Sequence, residues 1–255
     1  MTASELLDEI FRKQLVYDDA GNEYKLAGNV DMKEGAFLTK LIQEYKPKNT
    51  IEIGCAYGIS SLFICSALEK IKNPHHTIID AWQNESFKNI GVSNLKKAGI
   101  NFFELIEGLS EIILPQLLSE GKKYDLCFID GNHTFDHTLI DFFYLNRMID
   151  IGGIIVIDDT GIPSVNKLIR YILNYPSYKQ IGCVKYNLSA KKEIFDLIVK
   201  SPFSLLSKLL PYKLKYRVFA SSVIISDKKL NLNSSMIALQ KIKNDDRNWD
   251  WFKEF

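Results

Sequence analysis

The chain lacks most of the short signatures that settle a function at once. Its 255 residues include only four cysteines, Cys55, Cys65, Cys127 and Cys183, and no two are spaced as a CxxC pair. That argues against a zinc ribbon or a disulfide framework; with three of the four in apolar runs, it points to buried free thiols in a reducing compartment. No run of about eighteen apolar residues occurs, and "MTASELLDEIFRKQ" has acids where a secretory leader carries a basic start and an apolar stretch. A soluble cytoplasmic protein is expected. Neither charge dominates, since 32 Lys and Arg against 31 Asp and Glu leave a formal net charge of +1. No global field therefore draws nucleic acid or acidic lipid, and any basic site must be local. Internal repeats and low-complexity tracts are absent too.

What is present is an alternation. With 46% hydrophobic and 25% charged residues, the chain can bury one sizeable core in a single domain, residues 1–255. Between Thr50 and Asp158, five β-branched runs, "TIEIG", "HTIIDA", "FFELIEG", "YDLCFIDG" and "GGIIVIDD", are separated by longer runs of helical period. Strands apolar on both faces and joined through helices form a parallel sheet covered on two sides, and right-handed crossovers make it doubly wound. The expected class is α/β. Upstream, the pattern predicts a helix around Ser4 to Leu15, a polar turn at Asp18 to Asn22 and a helix from Glu34 to Tyr45 stopped by Pro47. Downstream, Pro163 and Ser164 open another helix, and "YKQIGCVKY" and "FASSVIISD" read as two antiparallel edge strands.

Ligands of such sheets sit outside the carboxyl ends of the strands. Those ends carry Glu52 and Gly54, Asp80, Glu107 and Gly108, Asp130, and the pair Asp158 and Asp159. Each acid alone could be a helix cap or a turn residue; the set along one edge is more than chance placement favours. The turn Gly54-Cys55-Ala56-Tyr57-Gly58 lacks the GxGxxG spacing that seats a pyrophosphate on a helix N-terminus, so a dinucleotide is the weaker reading. A carboxylate at Glu52 would repel phosphate and attract an ammonium or sulfonium group. Asp80 could accept hydrogen bonds from both hydroxyls of a ribose. A nucleoside with a positive, phosphate-free tail suits both acids.

Over about Glu34 to Asp159 the sequence resembles the class I S-adenosylmethionine-dependent methyltransferases. "IEIGCAYGISS" is similar to their first motif, Asp80 to the ribose-binding acid, and "LIEGLSEIILPQL" to the segment bordering adenine. Within the class, the likeness is to catechol-type and macrocin-type (sugar) metal-dependent O-methyltransferases. The resemblance implies a Rossmann-like seven-stranded sheet with the last strand antiparallel, and S-adenosylmethionine held by Glu52, Gly54, Tyr57, Gly58, Ser60, Asp80, Ala81, Trp82, Gly108, Leu109, Ser110 and Asp130. Core packing explains Tyr57, Trp82 and Phe135 equally well. For Glu34 and Gly35 two readings stay open, a plain helix start and an approach to the methionine end of the cofactor.

"FIDGNHTFDH" places His133 three residues after Asp130, and "IVIDDTGIP" ends the next strand in Asp158 and Asp159. Three converging carboxylates without Lys or Arg between them raise one another's pKa unless a cation neutralises them, and oxygen ligands suit Mg²⁺. Asp130, Asp158 and Asp159 also match the family's metal-binding acids, although catechol-type enzymes have asparagine at the position of Asp159. His133 matches the general base, a lysine in catechol-type and a histidine in sugar enzymes, which leans the acceptor towards a sugar-like diol. Asp130 and His133 are thus the expected catalytic residues of a methyl transfer to a small-molecule or glycan-like hydroxyl. His137 reads as a capping or solvated residue, and His75 and His76 carry no expected chemistry.

The organisation expected is a helical cover over 1–48, the cofactor core over 49–187, a basic amphipathic insertion over 188–217, and a final strand with tail over 218–255. Three readings stay open for the insertion: a substrate lid, a contact between two copies, and contact with a membrane surface, the first two weighed above the third. Two other functions also stay open, a nucleotide-dependent oxidoreductase and a non-catalytic cofactor-binding partner in polysaccharide assembly. No sequence feature names the acceptor.

Overall fold

The five apolar runs are strands and pair in parallel, as their two-faced hydrophobicity requires. A computed structural model describes residues 1–186 and 201–255. The runs become β3 (Asn49–Ile53), β4 (His75–Ile79), β5 (Phe103–Ile106), β6 (Tyr124–Ile129) and β7 (Ile149–Ile157). With β8 (Tyr178–Lys185) and β9 (Ser234–Lys241) they form one seven-stranded sheet in the order β5-β4-β3-β6-β7-β9-β8. β9 alone runs antiparallel, to β7 on one side and β8 on the other. Order reverses between β3, paired with β4, and β6, which returns to β3's other edge, so the crevice of a doubly wound sheet opens there.

Strand periodicity divides the core in two. Leu126 and Phe128 of β6 point to one face, where they meet residues of α1 (Ala3–Lys13), α2 (Met32–Tyr45), α3 (Ile59–Leu68) and α4 (Ile90–Lys97). Cys127 and Ile129 point to the other face, against α5 (Ser110–Ser119), α6 (Phe135–Met148) and α7 (Pro163–Ile172). Each fully buried Ile, Leu or Phe stabilises the fold by about 1.5–3 kcal/mol, and both faces contribute many. All four cysteines are free; Cys55, Cys65 and Cys127 are buried as expected.

Local signals set the ends of the cover. α1 and α2 each begin with a capping box, Thr2 with Glu5 and Asp31 with Glu34. Between them, Asp18 to Asn22 is the turn of a small hairpin, β1 (Leu15–Tyr17) with β2 (Glu23–Lys25), and Leu15 belongs to that strand and not to the helix. A second expectation fails at "FASSVIISD". Its centre, Ser221–Ile224, is a helical turn, because the buried Arg170 takes the carbonyl of Ile225 at 2.9 Å and the carboxylate of Asp227 at 2.5 Å, pulling the segment off the sheet. The last strand is instead "SSMIALQK", buried nearly throughout between β7 and β8. Of the basic insertion, residues 187–200 lie outside the described residues; the remainder forms helices Ser201–Ser207 and Tyr212–Val218.

Candidate functional site

A cavity of about 430 Å³ lies at the carboxyl end of the sheet. Its floor depends on glycine. Gly54 ends β3 with φ +87°, and a Cβ there would lie 2.1 Å from the carbonyl oxygen of Asp130, so β3 and β6 finish in backbone contact. Gly58, φ +78°, starts α3; a Cβ on it would meet the backbone of Gly91 at 2.8 Å. It shapes the turn from behind and does not line the cavity.

Asp80 fixes that turn. Its Oδ2 accepts the backbone N–H groups of Cys55 and Ala56, both at 2.9 Å, and the side-chain amide of Gln83 at 3.0 Å. Oδ1 accepts only the Trp82 N–H, at 2.8 Å, and keeps acceptor capacity on the cavity side. Both oxygens of Asp80 thus take part in local hydrogen bonds, Oδ2 the more heavily.

Gly54, Tyr57, Ser60, Ala81, Trp82, Gly108, Leu109, Ser110 and Asp130 also line the cavity. Glu52 does not. It is fully buried beneath the turn, where its Oε2 accepts the Ser61 hydroxyl and lies 3.2 Å from Nε2 of His76, whose Nδ1 is 2.8 Å from the Thr50 hydroxyl. The reason is strand periodicity: Ile51 and Ile53 point to one face of β3 and Glu52 to the other, under α3. Oε1 of Glu52 has no hydrogen-bond partner among the described residues.

Several lining residues escaped the sequence. Gly28, Asn29 and Val30 come from the loop before α2, Phe87 packs edge-on against Tyr57 with ring centroids 5.3 Å apart, and Glu111, Asn132 and His137 close the far wall. Only the Gly-Asn pair carried a local signal, that of a loop. His137, in the first turn of α6, also has Nδ1 2.8 Å from the Thr134 hydroxyl. Phe135 instead stacks on Phe255, with centroids 6.5 Å apart.

At one end of the cavity, donor atoms of Asp130, His133 and Asp159 all lie within 4.8 Å of one another. Nε2 of His133 is 3.1 Å from Oδ2 of Asp159 and 4.0 Å from Oδ1 of Asp130. Asp158 was expected in this set but stands outside it: nearly buried, it turns Oδ1 back onto the N–H of Asp159 at 2.9 Å. Adjacent residues cannot face the same way on a strand; the chain leaves β7 at Asp159, which takes φ +54°. Ser164, in the first turn of α7, donates its hydroxyl to the His133 carbonyl, and Thr138 donates to that of Asn132 at 3.1 Å, so both sides of this loop are tied.

The acids are electrostatically loaded. Burial, then the charges of Asp158 and Asp159, raises the Asp130 carboxyl well above its ordinary value. Burial, then Glu34 of the α2 capping box, pushes Asp158 up to about 8. Tyr186, after β8, is shifted upward by burial and by Asp159, and its hydroxyl would lie 2.8 Å from a Cβ on Gly161. Clustered carboxylates of this kind are stabilised by protons or by a cation. The carboxylates of Asp130 and Asp159 within reach of one point fit a divalent metal, with the His133 imidazole beside them and Asp158 of the expected oxygen set outside the group.

Among the described residues the cavity lining includes no Lys or Arg. That disfavours a pyrophosphate, while a rim carboxylate with a free acceptor, four lining glycines at Gly28, Gly54, Gly108 and Gly131, and a volume usual for small-molecule sites suit a nucleoside with an uncharged or positive tail.

Comparisons with known proteins agree with this architecture. Among solved structures, the O-methyltransferase from Bacillus cereus in complex with SAH superposes with a TM-score of 0.56 at 20% identity, over 70% of this chain and 81% of that one. The O-methyltransferase TomG from Streptomyces achromogenes, in complex with SAM, gives 0.55 at 20% identity, over 71% and 82%. The fold is therefore that of the Rossmann-like class I methyltransferases. Residues 51–160 match the family model described as a methyltransferase domain. Tapetum-specific methyltransferase 1 of Arabidopsis thaliana is 32% identical over 162 residues, 61% of this chain and 64% of that protein. Caffeoyl-CoA O-methyltransferase 2 of Petunia hybrida is 36% identical over 135 residues, 50% of this chain and 52% of that protein. The chain thus spans from about half to just under two thirds of the length of these curated relatives.

Proposed function

We propose that the chain is an S-adenosylmethionine-dependent O-methyltransferase, assisted by a divalent cation such as Mg²⁺, that acts on a hydroxyl of a small-molecule or sugar-like acceptor. The observation carrying this reading is that Asp130 and His133 belong both to the cavity wall and to the donor cluster. Cofactor and cation would then meet at one place.

The cofactor supplies a sulfonium-bound methyl group. The cation would chelate the acceptor's oxygens and lower the pKa of the hydroxyl to be methylated. Asp130 and Asp159 would hold it. With the methyl donor bound, His133 would take the proton of the acceptor hydroxyl. Asp159, 3.1 Å from Nε2, orients that imidazole. Asp80 offers Oδ1 to the ribose, while Gly54 and Gly108 let the nucleoside approach backbone. A histidine as base keeps the lean towards an aliphatic diol over a catechol.

Calorimetry with S-adenosylhomocysteine and with NAD tests the cofactor, and a methyl-transfer screen of diols, phenols and sugars with and without chelator tests the reaction. Binding of NAD alone would overturn the assignment. Tight cofactor binding with no turnover on any acceptor and no response to metal would make the chain a binding module instead.

A further inference from the structure

Residues 201–226 carry Lys208, Lys213, Lys215 and Arg217 and not one Asp or Glu. On that stretch Phe203, Leu205, Leu206, Leu209, Leu214 and Val218 are exposed, Leu209 by 79%, and so are Lys208 and Arg217 beside them. The protein has no other comparable concentration of large apolar side chains in water among the described residues. An apolar patch this dense, on a segment that carries cations and no acids, marks an interaction surface.

We infer that this surface docks on an anionic lipid bilayer. Charge complementarity selects the occupant. A second copy of the chain meeting the patch through a two-fold axis would set cations against cations, whereas anionic headgroups neutralise them while leucine and phenylalanine enter the acyl boundary. Attachment is peripheral, since no helix among the described residues is long and apolar enough to cross a membrane. The C-terminal tail lies beside the patch: the Tyr212 hydroxyl accepts the Glu254 N–H at 3.3 Å, and Trp249 is 97% exposed, an aromatic side chain suited to the headgroup level.

The surface is also built onto the frame of the candidate site. Lys167 of α7 reaches the Ser221 hydroxyl at 3.3 Å and Arg170 holds Ile225 and Asp227, while Ser164 of the same helix holds the His133 loop. Docking would therefore set the cavity at a fixed place relative to the bilayer. Sequence alone favoured a lid or a subunit contact; the exposure of the apolar side chains changes that balance.

The test is co-sedimentation of the full chain with phosphatidylcholine vesicles and with vesicles holding phosphatidylglycerol as about a third of their lipid. Binding to the second and not the first, weakened by salt, is expected. Lys208→Glu with Arg217→Glu should lower the vesicle partition coefficient at least about tenfold, and Leu205→Asp with Leu209→Asp should do so with half the change in charge. Circular dichroism and the urea midpoint report that each variant is folded; because both pairs are exposed, these should not move. Equal sedimentation with both vesicle types, or none with either, overturns the inference. So does a concentration-dependent dimer in ultracentrifugation that the Leu205→Asp, Leu209→Asp pair dissolves while vesicle binding is absent.

Discussion

The carboxylate of Asp80 lies 2.9 Å from the backbone nitrogen of Cys55, so the acid ending β4 holds the turn that ends β3. One oxygen serves the fold and the other faces the cavity. Asp80→Asn places an amide donor or a weaker acceptor against N–H groups at one of these two points. We expect a stability loss of about 1–3 kcal/mol in urea unfolding and an affinity for S-adenosylhomocysteine lower by at least about tenfold in calorimetry. Affinity unchanged in a folded variant would remove Asp80 from the ribose.

The strands around this contact were legible because burial on both faces leaves a plain record: "TIEI" and "LCFI" have almost nothing but β-branched and apolar residues. β9 was not legible. "SSMIALQK" has Met, Ala, Leu and Gln, all good helix formers, and is a strand because pairing with β7 and β8 on both edges overrides propensity. "VII" in Val223 to Ile225 had the stronger strand signal and lost it to Arg170. In the site, residue types at strand ends could be read, but not which oxygen of Asp80 or which of the two acids after β7 faces the crevice. Those depend on backbone angles, as at Asp159, that a single sequence does not encode locally.

Glycine tests separate contact from strain. At Gly54, alanine would bring its Cβ to 2.1 Å from the Asp130 carbonyl, backbone that cannot yield without moving β6. At Gly99, φ +78°, no atom lies within 4 Å of the added Cβ. Gly99→Ala should therefore cost only the left-handed strain, about 1–2 kcal/mol. Gly54→Ala should cost clearly more and abolish cofactor binding. Equal urea midpoints for the two variants would contradict the close approach.

Cation binding should follow the geometry rather than the adjacency of the acids. Titrated with Mn²⁺, Asp130→Ala and Asp159→Ala are expected to bind at least about tenfold more weakly than the parent, with a smaller loss for Asp158→Ala, whose Oδ1 is turned to backbone. Asp159→Ala should leave the affinity for S-adenosylhomocysteine within several-fold. Full methyl transfer by chelator-treated protein on its true acceptor would show that the acids serve another end.

Asp141 on α6 makes a prediction independent of the reaction. It is 1% exposed, neither carboxylate oxygen has a partner among the described residues, and burial pushes its carboxyl up from 3.8 to about 7. The raised value means that the protonated form favours the fold: its contribution is full below about pH 4 and is lost as pH rises through about 7. The difference between those limits amounts to about 4 kcal/mol. Asp141→Asn cannot ionise and should be more stable than the parent at pH 8, with the gap closing towards pH 4. Urea midpoints at both pH values measure this, and parallel shifts of the two proteins would show Asp141 uncharged throughout.

His133 carries the last prediction. Its carbonyl is held by Ser164, its Nε2 faces Asp159 at 3.1 Å, and it lines the cavity, so the imidazole is fixed beside the place where an acceptor hydroxyl must lie. Removing a general base typically costs about 10²- to 10⁴-fold in rate. His133→Ala should fall in that range in turnover at saturating Mg²⁺ while leaving the affinity for S-adenosylhomocysteine within several-fold, because the imidazole serves proton transfer and not the nucleoside. His133→Gln, which can hydrogen-bond but cannot take the proton, should be no faster than the alanine variant; a purely positional role would let glutamine recover much of the rate. A folded His133→Ala protein that keeps more than about a tenth of the parent turnover, with methyl transfer shown to be rate-limiting, would take His133 out of the chemistry and leave activation of the hydroxyl to the acids and their cation.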